Sequence, residues 1–153
     1  MQSSLKGKVQ INHTECEIKW LAQNGLAFKG KTGSNHTITL DGTSFDDHPV
    51  RLGPRPMEVF LVGAITCTLF DLVSGIKEIT PHLHKCTANG IGKRSEKKPR
   101  VFTEIIVSFD IVADGITENQ IDQILESSKE YNGSAMKMLQ RDADIKFTFR
   151  LNE

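Results

Sequence analysis

The sequence predicts an α+β domain in which antiparallel sheets pack on two main helices. Three observations carry this. Runs of residues with apolar side chains at every second position lie on both sides of one long apolar stretch, residues 57–76. A second segment, 117–128, repeats instead at three- and four-residue spacing. The strands come in groups rather than alternating singly with helices, the pattern of α+β rather than α/β chains.

The elements follow in order. Val9 and Ile11, then Cys16, Ile18 and Trp20, read as a first strand, irregular around His13-Thr14. Asn24-Gly25 is a turn signal, and Leu26-Ala27-Phe28 begins the return strand of a hairpin. His36 to Leu40 forms a third strand closed by Asp41-Gly42, and a loop rich in turn formers runs on to Pro54 and Pro56. A helix over 56–79 follows and stops before Pro81. Cys86 to Arg94 and Val101 to Ala113 are the next strands. Thr117 has Gln120 three residues on, the spacing of a capping box, and Ile121, Ile124, Leu125 and Ser128 trace one face of the helix it opens. Asn132-Gly133 breaks that helix, a short one runs from Ser134 to Leu139, and Asp144 to Asn152 is the last strand. The order is β-β-β-α-β-β-α-α-β, and short connections between neighbouring strands imply antiparallel pairing.

A chain of 153 residues suits one domain, 1–153, with a substantial core. Charge balances at 19 basic and 19 acidic residues, so no net field draws nucleic acid or anionic membrane. The one basic cluster, Lys93-Arg94, Lys97-Lys98 and Arg100, reads as a solvated strand end and loop. The first residues lack the apolar segment of a secretory signal, and a cytoplasmic location is expected. The 57–76 stretch approaches membrane-spanning length, but Glu58 and Asp71 interrupt it, which favours a helix buried in protein. Three cysteines, Cys16, Cys67 and Cys86, form neither a disulfide framework nor a metal motif. His82 and His84 make an HxH pair without a third ligand in any motif, so neither metal nor cofactor is expected.

Cys67 is the residue with the most chemistry in it. At helical spacing it shares a face with Phe60, Gly63, Ala64, Asp71 and Ser74. Small neighbours leave room for a ligand or a facing backbone. Two readings stand on the helix alone: a reactive thiol, if its surroundings favour the thiolate, or a small hydrophobe in a core.

The segment Gly53-Pro54-Arg55-Pro56-Met57-Glu58, the apolar helix carrying Cys67, its tail Asp71-Leu72-Val73-Ser74, the strand entry Pro99-Arg100-Val101-Phe102-Thr103 and the run Tyr131 to Leu139 together resemble the OsmC/Ohr family of peroxide-handling proteins, on its OsmC-like branch. The resemblance covers roughly residues 16 to 152 in order. It implies an intertwined homodimer, with two long helices packed centrally against sheets drawn from both chains. It also implies a reactive centre at the dimer interface, which binds a small-molecule peroxide or an apolar ligand. By this resemblance Cys67 is the peroxidatic cysteine. The family's resolving cysteine would fall at Asn132, where no thiol stands, so reduction calls for an external thiol. The family's activating arginine belongs to the early strands, which here offer only Lys19, Lys29 and Lys31; Arg51 and Arg55 are the substitutes the loop provides. Its glutamate falls on Met57, one residue before Glu58. The expected function is thiol-dependent peroxide detoxification through one cysteine. The alternative is a small-molecule-binding or oxidant-sensing dimer on the same fold.

Overall fold

The period-two segments become strands in a computed structural model that describes residues 14–43 and 50–152. Val9, Ile11 and His13 of the expected first strand lie outside these residues. β1 (Cys16–Trp20), β2 (Ala27–Thr32) and β3 (Thr37–Asp41) form an antiparallel meander in the order β1-β2-β3. Between β1 and β2 the chain turns at Gly25, which takes φ +58 as the Asn24-Gly25 signal requires. Cys16, Ile18 and Trp20 register with Thr32, Gly30 and Phe28, so one face of this sheet is largely apolar while Glu17, Lys19, Lys29 and Lys31 fall on the other.

α1 (Pro56–Ile79) follows. Pro56 suits the first helical position because its missing N–H costs nothing there, and Glu58 Oε2 accepts the Arg55 backbone N–H at 2.6 Å. Ala64, Thr68, Leu72 and Ile76 are spaced four apart and are its buried stripe. The helix ends where Pro81 forbids a further turn, and Thr80 Oγ1 donates to the Asp114 carbonyl at 2.8 Å.

The second sheet has the order β4-β5-β6, from β4 (Leu83–Arg94), β5 (Phe102–Ala113) and β6 (Asp144–Asn152). β4 begins three residues before the alternation does, because a register shift between Leu83 and Lys85 breaks the period. β5 alternates cleanly: Ile105, Val107, Phe109, Ile111 and Ala113 are buried, while Glu104, Ser108 and Asp110 face outward. There Glu104 pairs with Lys93 and Lys146, and Asp110 with Lys85 and Arg150. The basic cluster is the strand end and loop expected of it, with Arg94 Nε donating to the Arg100 carbonyl at 2.7 Å.

α2 (Glu118–Ser127) is capped by Thr117 with Gln120 in a complete capping box. It runs into a π-helical segment, Ser128–Asn132, and α3 (Ser134–Leu139) follows. These helices carry the chain over to β6, which pairs parallel to β5. The second sheet is therefore mixed, where a purely antiparallel one is expected. The long helical crossover is the reason, since only tight turns enforce antiparallel pairing. Ile121, Leu125 and Met136 are also buried in the core, and Phe109 and Phe147 meet edge to face at 5.7 Å.

Contacts group the chain into two units, Met1–Val59 and Phe60–Glu153.

Candidate functional site

Cys67 lies midway along α1 and is exposed. It lines an open hollow of about 330 Å³ together with Thr66, Phe70, Asp71 and Ser134. Helical spacing brings the first four together: Cys67 and Asp71 are one turn apart on the same face. Thr66 directs its hydroxyl back to the Val62 carbonyl at 2.7 Å. Phe70 is 72% exposed, which leaves a large apolar surface beside the thiol. Within this chain the Cys67 side chain is exposed rather than packed in the core.

Asp71 is half-buried, and Ser128 Oγ donates to its Oδ2 at 2.7 Å. Ser128 itself is 1% exposed. It opens the π-helical segment, whose last residue is Asn132. The Gly133 N–H reaches the Ser128 carbonyl at 2.6 Å, and Ser134 then enters the hollow. The break expected at Asn132-Gly133 is thus present, but Gly133 has φ −76 rather than the left-handed conformation that pair often takes at a helix end. The position assigned to the missing resolving thiol sits two residues before Ser134.

Glu58, Arg51 and Arg55 belong to the first unit and have local partners there. Glu58 accepts the Arg55 N–H, a capping arrangement at the positive end of α1. Arg55 is exposed, and its carbonyl receives the Glu58 and Val59 N–H groups. Arg51 is half-buried, and its positive charge helps hold down the Asp41 carboxyl.

The other thiols differ from Cys67. Cys86 is half-buried on β4 opposite Ile111, and burial, then the Asp110 charge, pushes its thiol up. Cys16 is exposed at the start of β1 in the first unit. His84 pairs with Asp114 at 2.9 Å, and the His82 N–H donates to Thr80 Oγ1 at 3.2 Å, so the HxH pair serves the turn into β4. No group of three or more His, Cys, Asp or Glu able to hold a metal occurs among the described residues.

Sequence reasoning placed Asp71 on the Cys67 face and Ser128 on the inward face of α2, but it did not join them. The available signal was the hydroxyl itself: a serine closing the otherwise apolar row Ile121, Ile124, Leu125 needs a buried partner. Ser134 at the hollow had no such signal.

The sequence model described as OsmC-like protein matches residues 45–148. Protein YhfA of Escherichia coli (strain K12) is 28% identical over 137 residues, 90% of this chain and 97% of that protein. The crystal structure of an OsmC like protein from Mycoplasma pneumoniae aligns with a TM-score of 0.74 at 21% identity, covering 94% of this chain and 99% of that one. An organic hydroperoxide resistance protein OsmC from Legionella pneumophila aligns at 0.64 and 13% identity, over 91% of this chain and 97% of its own. These structural likenesses extend over both sheets and the helices between them.

Proposed function

This chain belongs to the OsmC-like protein family, and from that premise we propose that it reduces organic hydroperoxides through Cys67. The observation that carries the proposal is the exposed thiol on α1 beside an apolar wall, Phe70, and a polar one, Asp71. An alkyl or aryl hydroperoxide has the same two-sided character. The Cys67 sulfur attacks the terminal peroxide oxygen, the O–O bond breaks, and an alcohol leaves while Cys67 becomes a sulfenic acid. The only other cysteine of the second unit is Cys86, on β4, so an external thiol resolves the sulfenate as a mixed disulfide and releases water. A second thiol frees Cys67. The sum is two thiols and one hydroperoxide giving a disulfide, an alcohol and water.

The reading includes a homodimer and a cytoplasmic setting, where thiol reductants are plentiful. A second copy would cover the apolar side of α1 and narrow the hollow into a pocket. The runner-up is a carrier of an apolar small molecule on the same fold, favoured by the exposed Phe70.

Peroxide consumption with excess dithiothreitol tests the assignment, using cumene hydroperoxide and hydrogen peroxide with the parent and Cys67→Ser. Faster turnover of the organic peroxide, lost in Cys67→Ser, is expected. Equal slow rates in both proteins would move the assignment to the carrier.

A further inference from the structure

We propose that Asp71 is the proton acceptor and donor for Cys67, and that Ser128 is the positioning residue that holds its carboxylate in place. The proposal rests on the peroxide-reducing reading of Cys67 given above.

Nucleophilic attack on a hydroperoxide has two proton problems. The thiol must lose a proton, and the departing alkoxide must gain one. A single group beside the sulfur solves both. Asp71 is the ionisable side chain that shares the hollow with Cys67, one helical turn away, where Cβ atoms lie about 5–6 Å apart. A hydroperoxide placed against the sulfur lies within reach of that carboxylate.

The carboxylate is held. Ser128 Oγ takes Asp71 Oδ2 at 2.7 Å in a hydrogen bond to a charged acceptor, the stronger kind. The second oxygen remains an acceptor by the chemistry of the group. Ser128 is positioned from another element, at the junction of α2 and the π-helical segment, and is 1% exposed. Single π turns inside helices recur at functional sites. This one carries both ends of the arrangement: its first residue holds Asp71, and its closing bond to Gly133 at 2.6 Å leads to Ser134 at the hollow.

The step balances. The Cys67 proton passes to Asp71, and the sulfur electron pair forms a bond to the terminal oxygen of the hydroperoxide. The O–O pair leaves on the alkoxide, and Asp71 returns its proton to make the alcohol. Asp71 is unchanged, and Cys67 carries the hydroxyl as a sulfenic acid. Other ionisable groups surround Asp71. Glu78 lies further along α1 in the groove that Asp71 also lines. That groove's α2 side is neutral, through Gln120, Gln123 and Ile124. Lys129 and Glu130 follow Ser128 in the π-helical segment, and Ser134 is the α3 neighbour.

Stopped-flow oxidation of Cys67 by cumene hydroperoxide at pH 7 tests this in the full chain, beside alkylation by iodoacetamide, which needs the thiol deprotonated but whose leaving group needs no proton. Asp71→Asn should slow peroxide oxidation by about a hundredfold or more and alkylation by a smaller factor, because only the oxidation loses both proton transfers. Ser128→Ala should lower the oxidation rate about tenfold, and Ser128→Thr should restore it. A fast parent with an equally fast Asp71→Asn, or with an equally fast Ser128→Ala, overturns the proposal and leaves the function standing. A parent no faster than Cys67→Ser overturns both. If Asp71→Asn does not fold, the Ser128→Ala and Ser128→Thr pair decides alone.

Discussion

Asp41, at the end of β3, is 2% exposed and accepts from both Thr43 and Leu52. The Thr43 hydroxyl, then the Leu52 and Thr43 backbone N–H groups, donate to its carboxylate, with the N–H contacts at 3.1 and 2.9 Å, and they hold its pKa down at about 2. An unfolded aspartate titrates near 3.9. A group depressed on folding stabilises fully above its unfolded value and loses that contribution as pH falls through its folded value. Urea unfolding should therefore show Asp41→Asn less stable than the parent at pH 7, with the gap closing between about pH 4 and pH 2. A gap that is constant with pH would mean the cost is one of packing alone. Only part of this was legible beforehand. Asp41-Gly42 read as a strand stop, because Asp favours turns; the return of Leu52 to the same carboxylate depends on a loop whose path no periodicity encodes. Cys67 and Asp71 were legible as one face for the opposite reason, since a helix fixes which residues meet.

Elements were read well where they begin and end in their own chemistry. The Thr117 capping box and the proline boundaries of α1 are local signals, and both hold. The parallel pairing of β6 was missed because it depends on where a whole crossover returns, which strand composition does not record. The packing of α1 on α2 was likewise invisible, although Gly75 marks it. A Cβ there would lie 2.8, 3.1 and 3.2 Å from three side-chain carbons of Ile124. Three close atoms cannot all be relieved by one rotamer change, so the helices must separate. Crowding of this kind costs about 1–3 kcal/mol, against about 1 kcal/mol gained from replacing glycine by alanine in a helix. Gly75→Ala should lower stability by up to about 2 kcal/mol in denaturant melts. The double variant with Ile124→Ala should lose less than the sum of the two single losses, because the two residues are in contact. Additive losses would place the strain elsewhere.

At the scale of the molecule, the fold class was legible from periodicity, while the division of contacts at Val59 was not, because it falls inside one continuous helix. α1 is long and apolar enough to cross a bilayer by length and composition. Its buried stripe nevertheless packs within its own unit, and Asp71 on the same helix is tied to Ser128. What needs covering is the remaining surface. Val62 and Phe70 on α1 are 64% and 72% exposed, and in the first unit Ile18 and Trp20 on β1 are 55% and 59% exposed. Burial of such side chains on association contributes about 25 cal/mol per Å² of apolar surface. We propose that a second copy of this chain covers these side chains. Light scattering should give about twice the 17.0 kDa chain mass at micromolar concentration. Val62→Glu, which puts a charge on the exposed side of α1 away from the thiol's hollow, should weaken the dimer and lower its thermal midpoint in a concentration-dependent way, since folding and association are then linked. A parent that is a stable monomer over that range, with Val62→Glu unchanged in melting, would leave the α1 surface to another partner.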